Sequence, residues 1–275
     1  VVMPDSVYNW LISFFHHREH MTRYNKFLSG SKEITASVVQ GSALGPALFI
    51  LNSSDLGCST AGNSLVKFAD DTSMVVPASN SSSISNEMEH IHSWCLANNQ
   101  KLNVAKSKEV IITRRGSKLP IEPPPPVLGI LRVPCLTLLG VEIDQHLTFS
   151  DHVEKSVIKG AQQIYALKRL QSYGLPAPAL AIVTRSTLFQ MLTYASPCWW
   201  GAASSTSCDR LEAVARRASR WGLCDALNGG IANICDSADK LLFQKVLCDT
   251  HHVLRPLLPP PRPSTHLLRP RKHNL

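Results

Sequence analysis

The chain has 275 residues, of which 44% are hydrophobic, and its formal net charge is +8 with a sequence pI of about 9.2. This length and apolar content predict one large globular domain or two small ones, and they exclude a disordered chain. The basic excess favours an acidic partner, most often nucleic acid, although basic residues that only keep a surface soluble would give the same charge.

The cysteines and the hydropathy pattern bear on the compartment. The eight cysteines are scattered without C-x-x-C spacing, so we expect reduced thiols in apolar surroundings rather than a zinc ribbon. No apolar run reaches the length of about 18 residues that a membrane helix needs, and no secretory signal opens the chain. We therefore expect an intracellular protein of the nucleus or cytoplasm with no membrane partner, and the oligomeric state stays open.

The first part of the chain alternates helical and strand patterns. Apolar residues at Val7, Trp10, Leu11 and Phe14 have helical spacing and predict a helix over 7–15. The further elements predicted here are a helix that begins near Pro46 and ends before Gly57, strands over 65–68 and 73–76 joined by a turn at 69–72, a helix over 84–97, and a strand over 110–113.

The second part begins at four consecutive prolines within 122–126, which predict a stiff connector. The elements predicted after it are a strand over 136–143, a turn at 144–146, helices over 151–172, 178–194 and 206–225, and a basic, proline-rich tail from Arg255. This order predicts an α+β sheet domain followed by an all-α domain. The predicted divisions are 1–121, a proline connector with a strand hairpin over 122–150, a helical domain over 151–254, and a disordered tail over 255–275.

Two adjacent acids stand between the two predicted strands. Asp70 and Asp71 lie in the segment FADD, and each carboxylate disfavours ionisation of the other unless a positive charge lies near. A divalent cation would supply that charge, and Mg²⁺ prefers carboxylate oxygens. A turn that simply favours aspartate is the alternative interpretation.

Several segments, in the same order along the chain, resemble the reverse transcriptases of non-LTR (LINE-like, jockey-type) retrotransposons. QGSALGP at 40–46 matches a Q-G-S-x-L-G-P block, and FADD at 68–71 matches the [YF]-A-D-D block of that family. WCLANNQKLNVAKSK at 94–108 and LLGVEIDQHLTFSDHV at 138–153 are similar to two later blocks. YASPCWWG and RLEAVARRASR resemble its helical segments, so the similarity covers residues 4–226.

The resemblance implies a partial right-hand polymerase palm over 1–121 and a thumb-like helical domain over 151–254. It implies RNA-directed DNA synthesis with two Mg²⁺ ions, or Mn²⁺, on an RNA template and an RNA–DNA duplex with deoxynucleotide triphosphates. The residues implied as functional are Asp70 and Asp71 for metal and catalysis, Lys106 near the departing pyrophosphate, Gln40, Gly41 and Ser42 at the nucleotide or template, and Arg210 and Arg217 at the duplex backbone.

One part of the family pattern has no match. The family carries a further catalytic aspartate on a strand upstream of the Q-G-S block, and Asp5 is a poor substitute because it belongs to the loop before the first predicted helix. The basic residues of the fingers have no match either. We therefore expect this chain by itself to be inactive as a polymerase.

Other interpretations stay open at this point. A non-catalytic nucleic-acid-binding remnant would keep the basic helix, and a metal-dependent hydrolase would use Asp70, Asp71 and histidines. HHREH at 16–20 fits an H-x-x-E-H zinc signature, although such a site also needs a further ligand. Glu142 and Asp144 share one face of a predicted strand, but Asp144 fits a turn better. Lys106 and the arginines of 210–220 could also be ordinary solvated residues.

Overall fold

The computed structural model describes residues 3–34, 41–113, 126, 129–226 and 228–260, and it divides into two compact units, Val1–Asn103 and Val104–Leu275. Both helices and antiparallel strands occur, which is compatible with the predicted α+β class. The prolines of the predicted connector lie outside the described residues except for Pro126.

The first unit is built from three helices and short hairpins among its described residues. Its elements are α1 (Asp5–Phe15), β1 (Glu19–His20), β2 (Arg23–Tyr24), β3 (Phe27–Leu28), β4 (Lys32–Glu33), α2 (Gly45–Asn52), β5 (Ser64–Phe68), β6 (Asp71–Val75), a 3-10 helix Ala78–Ser83 and α3 (Ile84–Ala97). β1 pairs with β4, β2 with β3 and β5 with β6, all antiparallel.

The buried side chains of this unit centre on α3. Met88, Ile91 and Cys95 lie on one stripe of that helix and are each at most 8% exposed, as the apolar spacing predicts. Leu56, just beyond α2, is also buried. The apolar stripe of α1 behaves differently, because that helix has no buried residue and Trp10 is 50% exposed.

The second unit is a small strand region followed by a helical domain. Its elements are β7 (Lys108–Glu109), β8 (Leu131–Arg132), β9 (Cys135–Leu138), β10 (Val141–Asp144), α4 (Ser150–Ser172), α5 (Ala177–Thr184), a π-helical turn Arg185–Phe189, α6 (Gln190–Leu192), 3-10 turns Ser196–Cys198, Trp200–Ala202 and Arg255–Leu257, α7 (Ser205–Arg220) and α8 (Gly230–Cys248). β9 and β10 form an antiparallel hairpin, and β7 pairs parallel with β8.

One continuous hydrophobic core holds these helices together. It joins the β9–β10 hairpin to α4, the α5–α6 segment, α7 and α8. The side chains that are almost fully buried in it include Val153, Ile164, Leu188, Leu192, Trp199, Leu211 and Ile231. α4 packs against α7 and Gly160 allows the close approach, since a Cβ at that position would lie 2.9 Å from Val214.

The structure corrects several predicted elements. The continuous strand predicted over 136–143 is wrong, because Leu139 and Gly140 take left-handed φ angles of 47° and 86° and turn the chain there. The resulting β9–β10 hairpin lies within 122–150, the segment for which a strand hairpin is predicted. The strand predicted over 110–113 is also wrong, since pairing in that region is confined to Lys108–Glu109. Helix α8 and the short hairpins within 19–33 were missed by the sequence prediction.

Three of the eight cysteines are buried, and all eight are free thiols. The buried ones are Cys95, Cys224 and Cys235, and burial raises the pKa of the Cys235 thiol to about 11. The prediction of reduced thiols in apolar surroundings is confirmed for these three, whereas Cys198 and Cys248 are exposed.

Candidate catalytic hairpin and basic helical surface

The two predicted metal ligands lie at the tip of the β5–β6 hairpin. Phe68 pairs with Asp71, so Ala69 and Asp70 form a two-residue loop and Asp71 is the first residue of β6. Both aspartates are exposed, and neither carboxylate has a hydrogen-bond or ion-pair partner among the described residues. Ala69 takes a φ of 51°, a left-handed conformation that costs an alanine about 1–2 kcal/mol.

The two faces of this hairpin differ. Residues directly opposite each other in an antiparallel pair share a face, so Asp71 lies on the face of Phe68. That face is open, because Phe68 and Val66 are 64% and 60% exposed. The other face carries Lys67 opposite Thr72 and is partly buried at Lys67.

Lys67 fastens the hairpin to the end of α2. Its ammonium donates to the carbonyl oxygens of Ser53 at 2.5 Å and Leu56 at 2.7 Å. The last carbonyls of a helix have no partner within the helix and carry its negative pole, so a cation there is favourable. The helix that follows the Q-G-S block and the strand that ends in FADD are thus held together three residues from Asp70.

Glu87 holds the loop that leads into β5. Its side chain is fully buried and accepts hydrogen bonds from the backbone N–H groups of Ser59 at 2.9 Å and Thr60 at 2.7 Å and from the amide of Asn63 at 2.9 Å. Burial alone would raise the pKa of this carboxyl, but the hydrogen bonds outweigh it and lower the pKa from 4.5 to about 2. A buried carboxylate therefore fixes the base of the hairpin.

The other predicted nucleotide-site residues precede α2. Gln40 lies outside the described residues. Gly41 has a left-handed φ of 82°, and a Cβ there would meet nothing within 4 Å, so conformation rather than space requires glycine. The hydroxyl of Ser42 accepts a hydrogen bond from Gly45 N–H at 3.1 Å, which closes the turn that starts the helix.

Lys106 lies in the second unit, in a turn before β7, and is exposed. The predicted arginines are in that unit as well. Asp70 and Asp71 therefore lie in the first unit with the α2 segment, whereas Lys106 and the two arginines lie in the second unit.

The segment 138–153, one of the similar blocks, has a structural role. The Asp144 carboxylate accepts hydrogen bonds from the backbone N–H groups of His146, Thr148 and Phe149 and from the Thr148 hydroxyl, all within 2.9 Å. Burial would raise the pKa of Asp144, but these bonds lower it overall. The interpretation of Asp144 as a turn residue is supported, since its carboxylate shapes the entry into α4.

His152 and Glu142 of the same segment are also held by neighbours. The His152 ring is buried against Trp199 with ring centroids 5.1 Å apart, and its Nδ1 accepts the Glu142 backbone N–H at 3.4 Å. Burial is the main cause that lowers the pKa of His152. Glu142 forms an ion pair with Lys155 at 2.7 Å.

The predicted basic helix is α7, and its two named arginines differ in their contacts. Arg210 forms an ion pair with Glu154 of α4 at 2.5 Å, with both side chains about half exposed. Such an exposed pair contributes about 0–1 kcal/mol, so it adds little to the packing of α7 against α4. Arg217 is exposed two helical turns further along.

Two more arginines of α7 border an open groove. Arg216 and Arg220 line it together with Glu212 and the start of α8, and its volume is about 450 Å³. Glu212 accepts the Ala232 backbone N–H at 2.9 Å and so caps α8.

The zinc signature is not assembled into a site. His16 and His17 follow α1 and lie edge to face, whereas Glu19 accepts a hydrogen bond from Ser31 at 2.6 Å. Across the described ranges, no group of three or more His, Cys, Asp or Glu side chains is arranged to hold a metal ion. Nor does the same part of the chain contain a helix with the length and hydrophobicity needed to cross a bilayer.

Comparison with curated proteins identifies similar retrotransposon polymerases. The chain is 26% identical over 239 residues to a probable RNA-directed DNA polymerase from transposon X-element of Drosophila melanogaster, which covers 79% of this chain and 25% of that protein. It is 23% identical to the corresponding protein from transposon BS of the same organism, over 80% of this chain and 26% of that protein. It is 25% identical to a Pol polyprotein from type-1 retrotransposable element R1 2 of Nasonia vitripennis, over 58% of this chain and 42% of that protein.

The resemblance to reverse transcriptases of non-LTR retrotransposons is thereby confirmed. The chain spans about a quarter of the length of the first two relatives. No protein-family model matches the chain, and no solved structure matches it either.

Proposed function

We propose that this chain is the part of a retrotransposon reverse transcriptase that combines the metal-binding hairpin of the palm with a helical thumb. The observation that carries the proposal is the FADD tip, where two adjacent, exposed carboxylates that have no partner among the described residues follow an alanine in a left-handed conformation. Such strain persists where the surrounding structure enforces it, and it is concentrated at functional sites. The similarity to RNA-directed DNA polymerases supports the same assignment.

The chemistry of the tip fits Mg²⁺, with Mn²⁺ as a substitute. Two carboxylates offer hard oxygen ligands, and Mg²⁺ is commonly held by one or two carboxylates, with waters and substrate phosphates filling the other positions. Asp70 is the main ligand in this proposal and Asp71 the weaker one. A metal bound there supplies positive charge for an in-line displacement at a phosphate. Lys67 and Glu87 keep the hairpin in place and so hold the backbone that carries both carboxylates.

The remaining residues bind substrate in this proposal. Arg210 and Arg217 contact the phosphate backbone of the RNA–DNA duplex, whose negative charge attracts exposed arginines. Gln40, Gly41 and Ser42 line the template or the incoming deoxynucleotide triphosphate, and Lys106 neutralises the departing pyrophosphate.

Metal binding at the tip can be tested with Mn²⁺, whose unpaired electrons broaden nearby NMR signals. Titration of the full chain should broaden the amide signals of residues 69–72 first. Asp70→Asn should remove this broadening, because it halves the charge of the pair. Asp5→Asn, which changes an exposed aspartate at the start of α1, should not. Equal broadening in wild type and Asp70→Asn would refute the metal site.

Catalysis and binding are separated by a second experiment. We expect the 275-residue chain to bind an RNA–DNA hybrid in a salt-dependent manner and to give no primer extension with Mg²⁺, because it matches only part of the family's acidic set. Robust extension that Asp70→Ala abolishes would show that the chain is active by itself. Arg217→Gln should weaken hybrid binding more than Lys245→Gln on α8, and equal affinities would argue against a duplex contact on α7.

A non-catalytic nucleic-acid-binding remnant is the second candidate, and one observation favours it. From Lys155 to Cys208 the sequence contains no aspartate or glutamate, while it contains five lysine and arginine residues. Hybrid binding without Mn²⁺ binding at the tip would select this alternative. Zinc in the purified protein, measured by elemental analysis, would instead support the metal-dependent hydrolase.

A further inference from the structure

Three large aromatic side chains are exposed around the carboxyl-terminal half of α4. Tyr165 is 68% exposed, Tyr173 is 75% exposed, and Trp221, which follows α7, is 42% exposed. Aromatic residues contribute most when their rings are covered, so three that remain accessible in one region indicate a surface for a partner.

Cations lie between these rings. The Lys168 ammonium is 4.0 Å from the centroid of the Trp221 ring, and the Arg169 guanidinium is 5.3 Å from that of Tyr173. Arg169 also donates a hydrogen bond to the Tyr173 hydroxyl at 2.9 Å. Tyr165 is three residues before Lys168 and four before Arg169, so it is a neighbour of both on the helix surface. The order across the surface is therefore Trp221, Lys168, Tyr165, Arg169, Tyr173, and we call these five residues the aromatic–basic strip.

The strip lies in an acid-free part of the sequence. No aspartate or glutamate occurs between Lys155 and Cys208, and none occurs from Ala213 to Cys224 around Trp221. Its cations therefore have no acidic neighbour along the sequence of these segments. Gln171 ties α4 to the chain next to Trp221, because its amide donates to the carbonyl oxygens of Trp221 at 3.5 Å and Gly222 at 3.4 Å. This contact keeps the two parts of the strip together.

We propose that the aromatic–basic strip binds single-stranded nucleic acid through unpaired bases. Exposed rings provide stacking platforms for bases, and the cations beside them can pair with the phosphates of the same strand. A duplex hides the faces of its bases, so this surface is distinct from the duplex contact proposed for Arg210 and Arg217. It also does not require metal at the FADD tip.

The experiment compares two fluorescein-labelled oligomers of equal length and charge, measured by anisotropy with the full chain. One is a mixed-sequence single-stranded 12-mer and the other is an abasic 12-mer. The double variant Tyr165→Ala/Tyr173→Ala should weaken binding of the first at least about 25-fold and leave binding of the second unchanged, since each of the two stacked bases is worth at least about fivefold. The matched control is Tyr8→Ala/Tyr24→Ala, which removes two exposed tyrosines of the first unit.

Both replaced tyrosines are exposed, so the double variant should retain the circular dichroism spectrum and urea midpoint of wild type. Lys168→Gln should weaken both oligomers, because it removes charge rather than stacking. Equal binding of the base-bearing and abasic oligomers by wild type would overturn the proposal, as would the absence of binding. Tighter, tyrosine-dependent binding to anionic phosphatidylserine vesicles or to an acidic peptide would also overturn it. None of these outcomes affects the Mn²⁺ test at Asp70.

Discussion

Replacing Glu87 by glutamine should loosen the base of the β5–β6 hairpin. The carboxylate receives three hydrogen bonds from the loop before β5, with one oxygen facing Ser59 N–H and the other facing Thr60 N–H and the Asn63 amide. Glutamine has one acceptor oxygen and one NH₂ group. Whichever way it is oriented, its NH₂ group faces a donor of the loop.

The cost follows from these contacts. If the amide oxygen keeps Thr60 and Asn63, the bond to Ser59 is lost, and a hydrogen bond to a charged group is worth about 1.5–3 kcal/mol. The two bonds that remain become neutral and weaken by about half. The neutral glutamine side chain avoids the desolvation cost of a buried charge, which offsets part of the lost hydrogen-bond free energy. We expect Glu87→Gln to reduce the free energy of unfolding of this unit by about 2–4 kcal/mol.

This prediction is best measured by hydrogen exchange with mass spectrometry, which reports on each peptide separately. A single melting curve would combine the unfolding signals of the first and second units. The peptide that contains Ser59 and Thr60 should exchange faster in Glu87→Gln than in wild type. Glu89→Gln is the matched control, since Glu89 is an exposed residue of the same helix. Exchange of that peptide at the wild-type rate in Glu87→Gln would refute the reasoning.

Acid gives an independent test of the same carboxylate. The folded pKa of about 2 lies below the ordinary value of 4.5, so the unfolded chain takes up a proton first as the pH falls. The stabilisation by Glu87 is therefore complete above about pH 4.5 and is lost as the pH falls toward 2. Between these values the hairpin should lose more protection in wild type than in Glu87→Gln, and parallel losses would contradict this assignment.

Four further predictions concern other turns and the second unit. Asp144→Asn should lower the free energy of unfolding of the second unit in urea by about 2–3 kcal/mol, because an amide cannot accept all the hydrogen bonds at that turn. The control Asp151→Asn, at an exposed position, should have little effect. Ala69→Gly should stabilise the β5–β6 hairpin by about 0.5–1 kcal/mol, measured by hydrogen exchange, because glycine adopts the left-handed φ without strain. Gly140→Ala should destabilise the β9–β10 turn by about 1–2 kcal/mol in urea titrations, since the φ of Gly140 is 86° and a Cβ there would lie 3.1 Å from Tyr194. The pKa of His152 is lowered by burial, so the unfolded state binds more protons below its ordinary value of 6.5, and stability measured by urea unfolding should fall from pH 7 to pH 5 with a smaller slope in His152→Gln.

The parts of the fold that the sequence predicts well are those with a strong local signal. The stripe of α3 and the long polar–apolar period of α4 each indicate a helix, and both helices are present. The FADD turn is also predicted, because two apolar runs flank it. Adjacent acids in such a turn are visible in the sequence without any knowledge of the fold.

The elements that were wrongly predicted or missed are those whose local structure depends on contacts between residues distant in sequence. The β9–β10 turn has no Asn-Gly or Asp-Gly signal, and Leu139 adopts its left-handed φ in a turn that the Tyr194 hydroxyl binds through the Leu139 carbonyl at 3.1 Å. α8 was missed because Gly229 precedes it, Gly230 is its first residue, and Glu212, distant in sequence, caps it. The roles of Lys67 and Glu87 have no motif, since each depends on partners 11 to 28 residues away.

The acidic residues of the similar segments divide into two kinds, and the division supports the FADD tip as the chemical site. Glu87 and Asp144 have lowered pKa values because backbone and side-chain donors surround them, and those bonds leave little capacity for a ligand. Carboxylates with shifted pKa values are often taken to mark function, but Glu87 and Asp144 hold loops in place. Asp70 and Asp71 have the opposite surroundings, since they are exposed and no described side chain uses their oxygens. Their oxygens lie at a turn in which Ala69 is held in a left-handed conformation. Because no described residue hydrogen-bonds to these oxygens, they remain available to bind a cation.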